Sequence, residues 1–421
     1  MSSFNINPIN LMHTLTMALD LAVDGVSMHQ QRTAVICRYL AEEIGIGAAE
    51  QQSLLGAALM HDIGAAPYYE ERRLLLDPSR GCDEEFVFRH AEEGYRLLLN
   101  LGCLSHAAEA VRYHHDHWTG GNPSGLSGTN IPLASRIIHV ADRAEILLRK
   151  HCLDPDRCGP VCADLLKETP VSLEPSLVDA LMACSKRECF WLDMTNNTYI
   201  AGFHNKMDWG HTPFTARDLL DVAGLYSIII DRTSRFTATH SRSVSRVAAL
   251  LADAYGFSKH EVYQVRVAGL LHDLGKLSVP NSILEKPGKL EADETRVMRQ
   301  HTYYTYRILE QIEQMENVAC WAAYHHETLD GSGYPFHIRG DQLPLGSRIM
   351  AVADIFVALS ENRPYRKAMD ADEAEKILRG MVRADKISGR VTGMIMDLRD
   401  KATDIVRDSD IQMLEAFGAA S

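Results

Sequence analysis

Apolar positions recur along this chain at the spacing of an α-helix. One set with the spacing i, i+3, i+4 and i+7 is Val244, Val247, Ala248 and Leu251. This spacing predicts a helix that buries one face. A capping box formed by Ser258 and Glu261 predicts the start of the next helix, which runs toward His272. Convincing strand patterns are absent, so we expect an all-α protein.

The N-terminal half repeats this pattern of elements. Leu54, Leu55 and Ala58 lead into His61 and predict a helix that begins near Gly47. Segments rich in glycine and proline, residues 122–132 and 330–344, interrupt the helical periodicity and predict a loop in each half. The two halves therefore predict similar helical domains.

The same series of histidines and aspartates stands in both halves. In the C-terminal half the series is His240, His272, Asp273, His301, His325, His326 and Asp354. In the N-terminal half it is His29, His61, Asp62, His90, His114, His115 and Asp142. The first six members of the two series are 211 residues apart and the last members are 212 apart. A separation this constant indicates an internal duplication and predicts two tandem helical bundles.

These residue types predict a metal centre. Imidazoles mixed with carboxylates suit Fe, Mn, Zn or Ni, whereas Ca²⁺ prefers oxygen ligands. Seven ligands exceed the need of one tetrahedral ion and suit a pair about 3.5–4 Å apart, which can clamp both oxygens of a phosphoester displacement. Adjacent His272 and Asp273 would point about 100° apart on a helix, so Asp273 is the candidate that bridges the two ions.

Four stretches of the C-terminal half carry a family resemblance. They are LLHDLGKLSVPNSILEKPGKL, HHETLDGSGYP, SRIMAVADIF and RPYRKAM. Over roughly residues 226–380 the chain resembles the HD-GYP branch of the HD superfamily of metal-dependent phosphohydrolases. The resemblance implies a compact helical bundle that cleaves cyclic di-GMP or 3′,3′-cyclic GMP-AMP to the linear dinucleotide and sometimes onward to mononucleotides.

The resemblance also implies roles for single residues. One ion would be held by His240, His272, Asp273 and Asp354. The other would be held by His301, His325, His326 and the shared Asp273. Fe or Mn is favoured for both ions, with Ni and Zn as alternatives, and a hydroxide between the ions would be the nucleophile. Asp273 and Lys276 would be the catalytic residues.

Further implied roles concern the substrate and a partner. Lys276, Arg363 and Arg366 would bind phosphate oxygens, and the Gly333-Tyr334-Pro335 loop would contact partner GGDEF domains. Two positions depart from the family. Phe236 replaces a glutamate that holds a third ion in some members, and Val357 replaces a common aspartate. The first departure favours two ions, and the second leaves the base preference open.

The N-terminal copy keeps the ligand types but not the phosphate-binding residues. Ala65 stands at the position of Lys276, Asn122-Pro123 replace the Gly-Tyr-Pro loop, and His151 and Asp154 replace the two arginines. Each lost charge-assisted contact is worth about 1.5–3 kcal/mol, so tight binding of a cyclic dinucleotide is not expected there.

These differences define the predicted domains. We interpret residues 1–150 as a degenerate HD domain, residues 151–225 as a helical connector and residues 226–421 as the catalytic HD-GYP domain. The seven ligand-type residues of the N-terminal half are candidates for a further metal site. The alternative is that they are inherited residues that no longer bind metal.

Composition and charge narrow the partners. The chain has 421 residues, is 46% hydrophobic and carries a net charge of −13, which disfavours long nucleic acids. No stretch reaches the 18 to 20 or so apolar residues of a membrane span, and the N-terminus lacks the pattern of a signal peptide. Together with the odd number of cysteines, nine, this predicts a cytoplasmic protein that does not contact membranes. The oligomeric state stays open.

Two other functions fit the same residues less well. One is a different HD-type nucleotide phosphohydrolase, which the Gly-Tyr-Pro loop and the trio Lys276, Arg363 and Arg366 argue against. The other is a non-catalytic protein that senses nucleotide or redox state, which the complete ligand set argues against.

Overall fold

The structure, a computed structural model, describes most of the chain. The described residues are 8–20, 28–76, 83–99, 101–102, 104–151, 158–203, 215–233, 239–361 and 367–418. All regular secondary structure within these ranges is helical. This confirms the predicted all-α fold, and it places Arg363, Arg366, Phe236 and Asp154 outside the described residues.

The chain divides into two compact units at residues 213 and 214. The first unit, residues 7–213, contains α1 (Pro8–Asp20), α2 (His29–Ile44), α3 (Ala48–Met60), α4 (Tyr69–Leu75), α5 (Glu84–Leu99), α6 (Ser105–Arg112), α7 (Leu133–Lys150), α8 (Cys158–Glu168), α9 (Pro175–Ser185), α10 (Glu188–Thr195) and α11 (Asn197–Gly202). The second unit, residues 214–421, contains α12 (Ala216–Arg232), α13 (His240–Tyr255), α14 (Lys259–Leu271), α15 (Asn281–Leu284), α16 (Ala292–Leu309), α17 (Glu316–Ala323), α18 (Leu345–Ser360), α19 (Ala371–Arg383), α20 (Gly389–Asp397) and α21 (Arg399–Gly418). Short 3-10 helices span Ile63–Ala65, Gly128–Asn130, Leu274–Ser278 and Tyr324–His326.

Each unit is built on the same sequence of packed helices. In the first unit α2 packs against α3 and α7, and α5 packs against α6. In the second unit α13 packs against α14 and α18, and α16 packs against α17. A short 3-10 helix follows α3 and α14 at the same point, as expected for an internal duplication. The predicted pair of related bundles is therefore confirmed.

Local sequence explains where the central helices begin. The side chain of Ser258 accepts a hydrogen bond from the backbone N–H of Glu261, whose carboxylate in turn accepts one from the N–H of Ser258. This reciprocal cap satisfies donors that have no partner within a helix. The apolar face of α13 is fully buried, including Val244, Val247 and Leu251, in agreement with its helical spacing.

The segment between the two predicted domains is divided differently in the structure. Residues 151–225 were assigned to a connector, but α9, α10 and α11 pack against α2 of the first unit. Tyr39 donates a hydrogen bond to Asp193 at 2.6 Å, which fixes α10 on that unit. The apolar run at residues 219–230 lies in α12, which packs against α13 and α14. Burial of these apolar faces leaves no long independent connector among the described residues.

None of the described helices combines the length and the apolar character that crossing a membrane requires.

Candidate metal centre

The centre of the second unit forms where α14 ends. His272 caps the helix, and Asp273 begins the 3-10 helix Leu274–Ser278. A Cβ atom on Gly275 would lie 2.0 Å from the carbonyl oxygen of His301 in α16, so only glycine allows this approach. The backbone N–H of Gly275 also donates to Thr305 Oγ1 at 2.9 Å. The close approach brings His301 against Asp273.

Backbone carbonyl groups fix the orientation of most ligand-type histidines. Each Nδ1 lies 2.6–3.1 Å from a carbonyl oxygen three or four residues earlier. The pairs are His272 with Gly269, His301 with Met298, His325 with Ala322, His61 with Ala58, His90 with Phe86, and His114 with Val111. A carbonyl acceptor selects the tautomer that keeps the proton on Nδ1, so Nε2 is left with a free lone pair.

The Nε2 atoms converge on one carboxylate in the second unit. Oδ2 of Asp273 lies 3.2 Å from His272 Nε2, whereas Oδ1 lies 3.4 Å from His301 Nε2 and 3.9 Å from His325 Nε2. Oδ1 of Asp354 lies 3.0 Å from His240 Nε2. The two oxygens of Asp273 thus face two different groups of imidazoles, as a bridging carboxylate must.

Two sets of donors follow from this geometry. Ligand atoms within 4.8 Å of one another form one set from His240, His272 and Asp273 and another from His301, His325 and His326. Asp354 joins the first set through its contact with His240. The structure thus brings all seven predicted residues of this unit together at one site, which we name the second cluster: His240, His272, Asp273, His301, His325, His326 and Asp354.

Burial and charge set the protonation states in the second cluster. Burial alone would raise the pKa of Asp273, but His272 and Lys276 hold it well below its usual range. Burial lowers the pKa of His301 to about 3 and that of His325 well below its usual value. The charged Asp273 and the neutral imidazoles of His301 and His325 are in the forms that bind metals. The carboxylates of Glu361 and Asp354 raise the pKa of His240 to about 10, and Asp273 raises that of His272, so a metal ion would displace a proton from each of these two imidazoles.

The donor set fits a pair of divalent ions. Nε2 of His272, His301 and His325 and Oδ1 of Asp273 are buried without a hydrogen-bond partner among the described residues. Buried polar atoms are costly to leave unpaired. Imidazole nitrogens and carboxylate oxygens are ligands of Fe, Mn, Ni and Zn. Coordination of two ions would satisfy these atoms together.

The first unit contains a matching site, which we name the first cluster: His29, His61, Asp62, His90, His114, His115 and Asp142. Oδ2 of Asp62 lies 3.4 Å from Nε2 of both His29 and His61. Oδ1 lies 3.2 Å from His90 Nε2 and 3.8 Å from His114 Nε2. The carboxylate again faces two groups of imidazoles, and Nε2 of His29, His61 and His114 is buried without a hydrogen-bond partner in the described part of the chain.

Sequence comparison agrees with this duplicated centre. The sequence profile of the HD domain matches the chain twice, over residues 13–156 and 224–391. The chain belongs to the HD-domain family. Each HD domain contains one of the two clusters.

Two relatives from Vibrio cholerae match most of the chain. A protein named 3′3′-cGAMP-specific phosphodiesterase 1 is 30% identical over 93% of this chain and 92% of its own length. The protein named 3′3′-cGAMP-specific phosphodiesterase 3 is 32% identical over 76% of this chain and 70% of its own length. A crystal structure of a V. cholerae cyclic GMP-AMP specific phosphodiesterase, V-cGAP3, superimposes with a TM-score of 0.66 at 25% identity, covering 95% of this chain and 97% of that one.

Around the HD-domain carboxylates the two units differ. Lys276 Nζ donates to Asp273 Oδ2 at 2.6 Å, which places its ammonium group beside the second cluster. In the first unit Ala65 is the counterpart of Lys276, and the amide of Gln30 donates to Asp62 Oδ2 at 3.1 Å. A neutral donor thus occupies the edge of the carboxylate that a cation occupies in the second unit.

Sequence reasoning missed a carboxylate that organises the Gly-Tyr-Pro loop. Glu327, which follows His325 and His326, accepts hydrogen bonds from the backbone N–H groups of Phe336, His337 and Ile338 at 2.7–3.1 Å. Tyr334 lies with its ring 4.9 Å from that of His326. In the sequence, the position of Glu327 directly after the His325-His326 pair was the signal for this role. Tyr334 of this loop therefore packs beside a metal-ligand candidate.

A cleft of about 880 Å³ opens beside the first cluster and is lined in part by Asp62, His115 and Asp142. Its cations are already paired. Arg143 makes two hydrogen bonds to Glu168 at 2.7 and 2.9 Å, and Lys167 donates to Asp164 at 2.7 Å. These pairs neutralise charge that could otherwise attract a phosphate.

Proposed function

We propose that this chain is a metal-dependent phosphodiesterase that hydrolyses a cyclic dinucleotide at the second cluster. The observation that carries the proposal is the arrangement of Asp273, whose two oxygens face two separate groups of buried imidazoles. Two divalent ions held by such a carboxylate would stabilise both the attacking and the leaving oxygen of a phosphodiester.

The residues of the second cluster divide between the ions. His240, His272, Asp273 and Asp354 would hold one ion. His301, His325, His326 and Asp273 would hold the other. When bound, divalent ions supply Lewis acidity and lower the pKa of water toward neutrality. Fe or Mn suits these donors best, with Ni and Zn as alternatives.

Lys276 would bind the substrate from the edge of the cluster. Its Nζ atom lies 2.6 Å from Asp273 and its side chain is about one quarter exposed, so it can reach a phosphate oxygen beside the ions. Arg363 and Arg366 are proposed as further phosphate ligands on the sequence resemblance alone. The chain thereby combines cations for the phosphates with a bridging carboxylate for the ions.

Among cyclic dinucleotides we propose 3′,3′-cyclic GMP-AMP as the preferred substrate. The V. cholerae relatives that match 93% and 76% of this chain are named as specific for it. Relatives named for cyclic di-GMP match less of the chain, such as 60% for a Thermotoga maritima protein and 48% for one from Pseudomonas aeruginosa.

The first unit is proposed to be non-catalytic and to retain a metal site. Its first cluster has the donor geometry of the second, but Ala65 leaves it without the lysine. Contact between the Gly333-Tyr334-Pro335 loop and GGDEF domains, and a cytoplasmic location, stay predictions from the sequence.

Turnover of 3′,3′-cyclic GMP-AMP and cyclic di-GMP, measured side by side, tests the proposal. The protein is purified anaerobically and loaded with Fe²⁺ or Mn²⁺, and Asp273→Ala serves as the blank. Faster loss of 3′,3′-cyclic GMP-AMP than of cyclic di-GMP, absent from the blank, is the expected result. No turnover of either substrate by protein with two ions in the second unit would overturn the proposal.

A further inference from the structure

Two histidines at the start of corresponding helices have a carboxylate, and not a backbone carbonyl, as the hydrogen-bond acceptor of Nδ1. His29 begins α2 and its Nδ1 lies 2.5 Å from Glu145 Oε2. His240 begins α13 and its Nδ1 lies 3.0 Å from Glu361 Oε2. Both contacts are buried. Each carboxylate accepts the Nδ1 proton and turns the opposite ring nitrogen toward its cluster.

These two carboxylates do not correspond in sequence. Glu145 follows Asp142 by three residues, and its counterpart in the second unit is the fully buried Val357. Glu361 follows Asp354 by seven residues. A residue three positions after an aspartate lies on the same side of a helix as the aspartate. Glu361 directly follows the last residue of α18 and its N–H still bonds to the carbonyl of Val357, four residues earlier, so its Cα stays near that side of the helix. A carboxylate at either position can therefore reach the first histidine.

The residues around the two carboxylates also differ between the units. In the first unit Arg149, four residues after Glu145, donates to it at 2.8 Å, and Arg32 donates to it at 3.0 Å. The counterpart of Arg149 is Glu361 itself, and the counterpart of Arg32 is Ser243. The second unit thus has an apolar residue and a glutamate where the first has a glutamate and an arginine.

We propose that Glu361 is a positioning residue that has taken over, one helical turn later, the role that Glu145 has in the first unit. It holds His240 with the proton on Nδ1 and the lone pair of Nε2 directed at the second cluster. The structure supports this with the termination of α18 at Ser360. Glu361 then adopts an extended backbone, and its N–H remains bonded to the Val357 carbonyl at 3.0 Å.

This inference deepens the proposed function, but its main test does not depend on turnover. Partners that orient a metal-binding histidine typically change metal affinity by 10–100-fold when they are removed. Mn²⁺ affinity of the second cluster is measured by titration in full-length protein, in an Asp62→Ala background that disables the first cluster. Glu361→Ala is expected to weaken Mn²⁺ binding by about 10–100-fold. Ser360→Ala, at the same helix end, is expected to leave it unchanged.

A second variant, which we name the charge-exchange variant, moves the glutamate to position 357 and places an arginine at position 361. Glu361→Arg removes the acceptor and is expected to weaken Mn²⁺ binding at least as much as Glu361→Ala. Val357→Glu combined with Glu361→Arg recreates the pair Glu145 and Arg149 and is expected to regain about tenfold or more of the lost affinity. The Nδ1 proton of His240, observed by NMR in Zn²⁺-loaded protein, reports the hydrogen bond directly.

Unchanged Mn²⁺ affinity in folded Glu361→Ala, with only a lower melting temperature, would overturn the inference and leave Glu361 as a helix-end residue. A charge-exchange variant that folds but binds Mn²⁺ no better than Glu361→Arg would also overturn it. Should turnover of both cyclic dinucleotides be absent while these affinities change as expected, the proposed function fails and the positioning role of Glu361 stands.

Discussion

The two units present the same ligand set in different surroundings. In the second unit a lysine ammonium contacts the carboxylate that would bridge the ions, whereas in the first unit a glutamine amide does so. In the first unit Glu145 is held between His29 and two arginines, whereas Glu361 in the second unit is held by His240. The histidines and aspartates that would hold metal were thus kept in both copies while the residues beside them changed. We therefore expect metal binding and phosphate handling to be separable properties of this fold.

Asp273→Ala is expected to have the largest effect on turnover. Removing the bridging carboxylate leaves two groups of imidazoles without a shared ligand, so hydrolysis of 3′,3′-cyclic GMP-AMP should fall by at least about 10³-fold, or about 4 kcal/mol of transition-state stabilisation. Metal content per chain should fall by the ions of the second unit. Retained turnover would contradict a binuclear mechanism.

Lys276→Ala should make the edge of the second cluster resemble that of the first, where alanine stands in place of the lysine. The loss of one charge-assisted contact, about 1.5–3 kcal/mol, predicts a fall in kcat/KM of roughly 10–150-fold. Metal content should be unchanged, because the amine is not a ligand candidate. Loss of metal together with activity would show that Lys276 maintains the cluster and does not bind phosphate. Lys259→Ala, at the exposed start of α14, is the matched control.

Much of this site could be predicted from the sequence, because the ligands are rare residue types repeated at one constant separation. The same constant separation relates two further aspartates, Asp20 and Asp231, which are 211 residues apart and buried. Glu145 and Glu361 could not be paired in this way, since their separation is 216 residues and only the packed helices show that they do the same thing. Lys276 was predicted to face a phosphate, and its contact with Asp273 required coordinates. The packing of α9, α10 and α11 against α2 could not be predicted, because helical periodicity does not reveal which helix an apolar face packs against.

Gly275→Ala and Gly64→Ala test whether both units depend on the same close approach. In each unit a Cβ would lie 2.0 Å from a carbonyl oxygen, of His301 or of His90 respectively. Overpacking of this kind costs about 1–3 kcal/mol of unfolding free energy, measured by urea denaturation. Gly224→Ala in α12 is the control, because a Cβ there meets nothing within 4 Å and alanine favours a helix. Equal stability of the Gly64 and Gly224 variants would contradict the packing described for the first unit.

Asp62→Ala is expected to have the smallest effect on turnover. It should remove metal from the first unit while changing kcat/KM by less than about threefold, under 0.7 kcal/mol. Metal analysis of the same folded sample distinguishes a site that binds ions from one that has lost them. Complete loss of hydrolysis with the second cluster still loaded would refute a non-catalytic first unit.

Four of the ligand histidines lie at or just beyond the C-terminal end of a helix, where the last carbonyl groups have no partner within the helix. His61, His114, His272 and His325 each donate Nδ1–H to the carbonyl oxygen three residues earlier. The same side chain thus terminates a helix with one nitrogen and offers a ligand with the other. A duplicated copy that stopped catalysing would still lose stability on losing these histidines. In the first unit His61 and His114 thus have a structural role in addition to any ion that they would hold, and a complete set of ligands in an HD domain does not by itself show enzymatic activity.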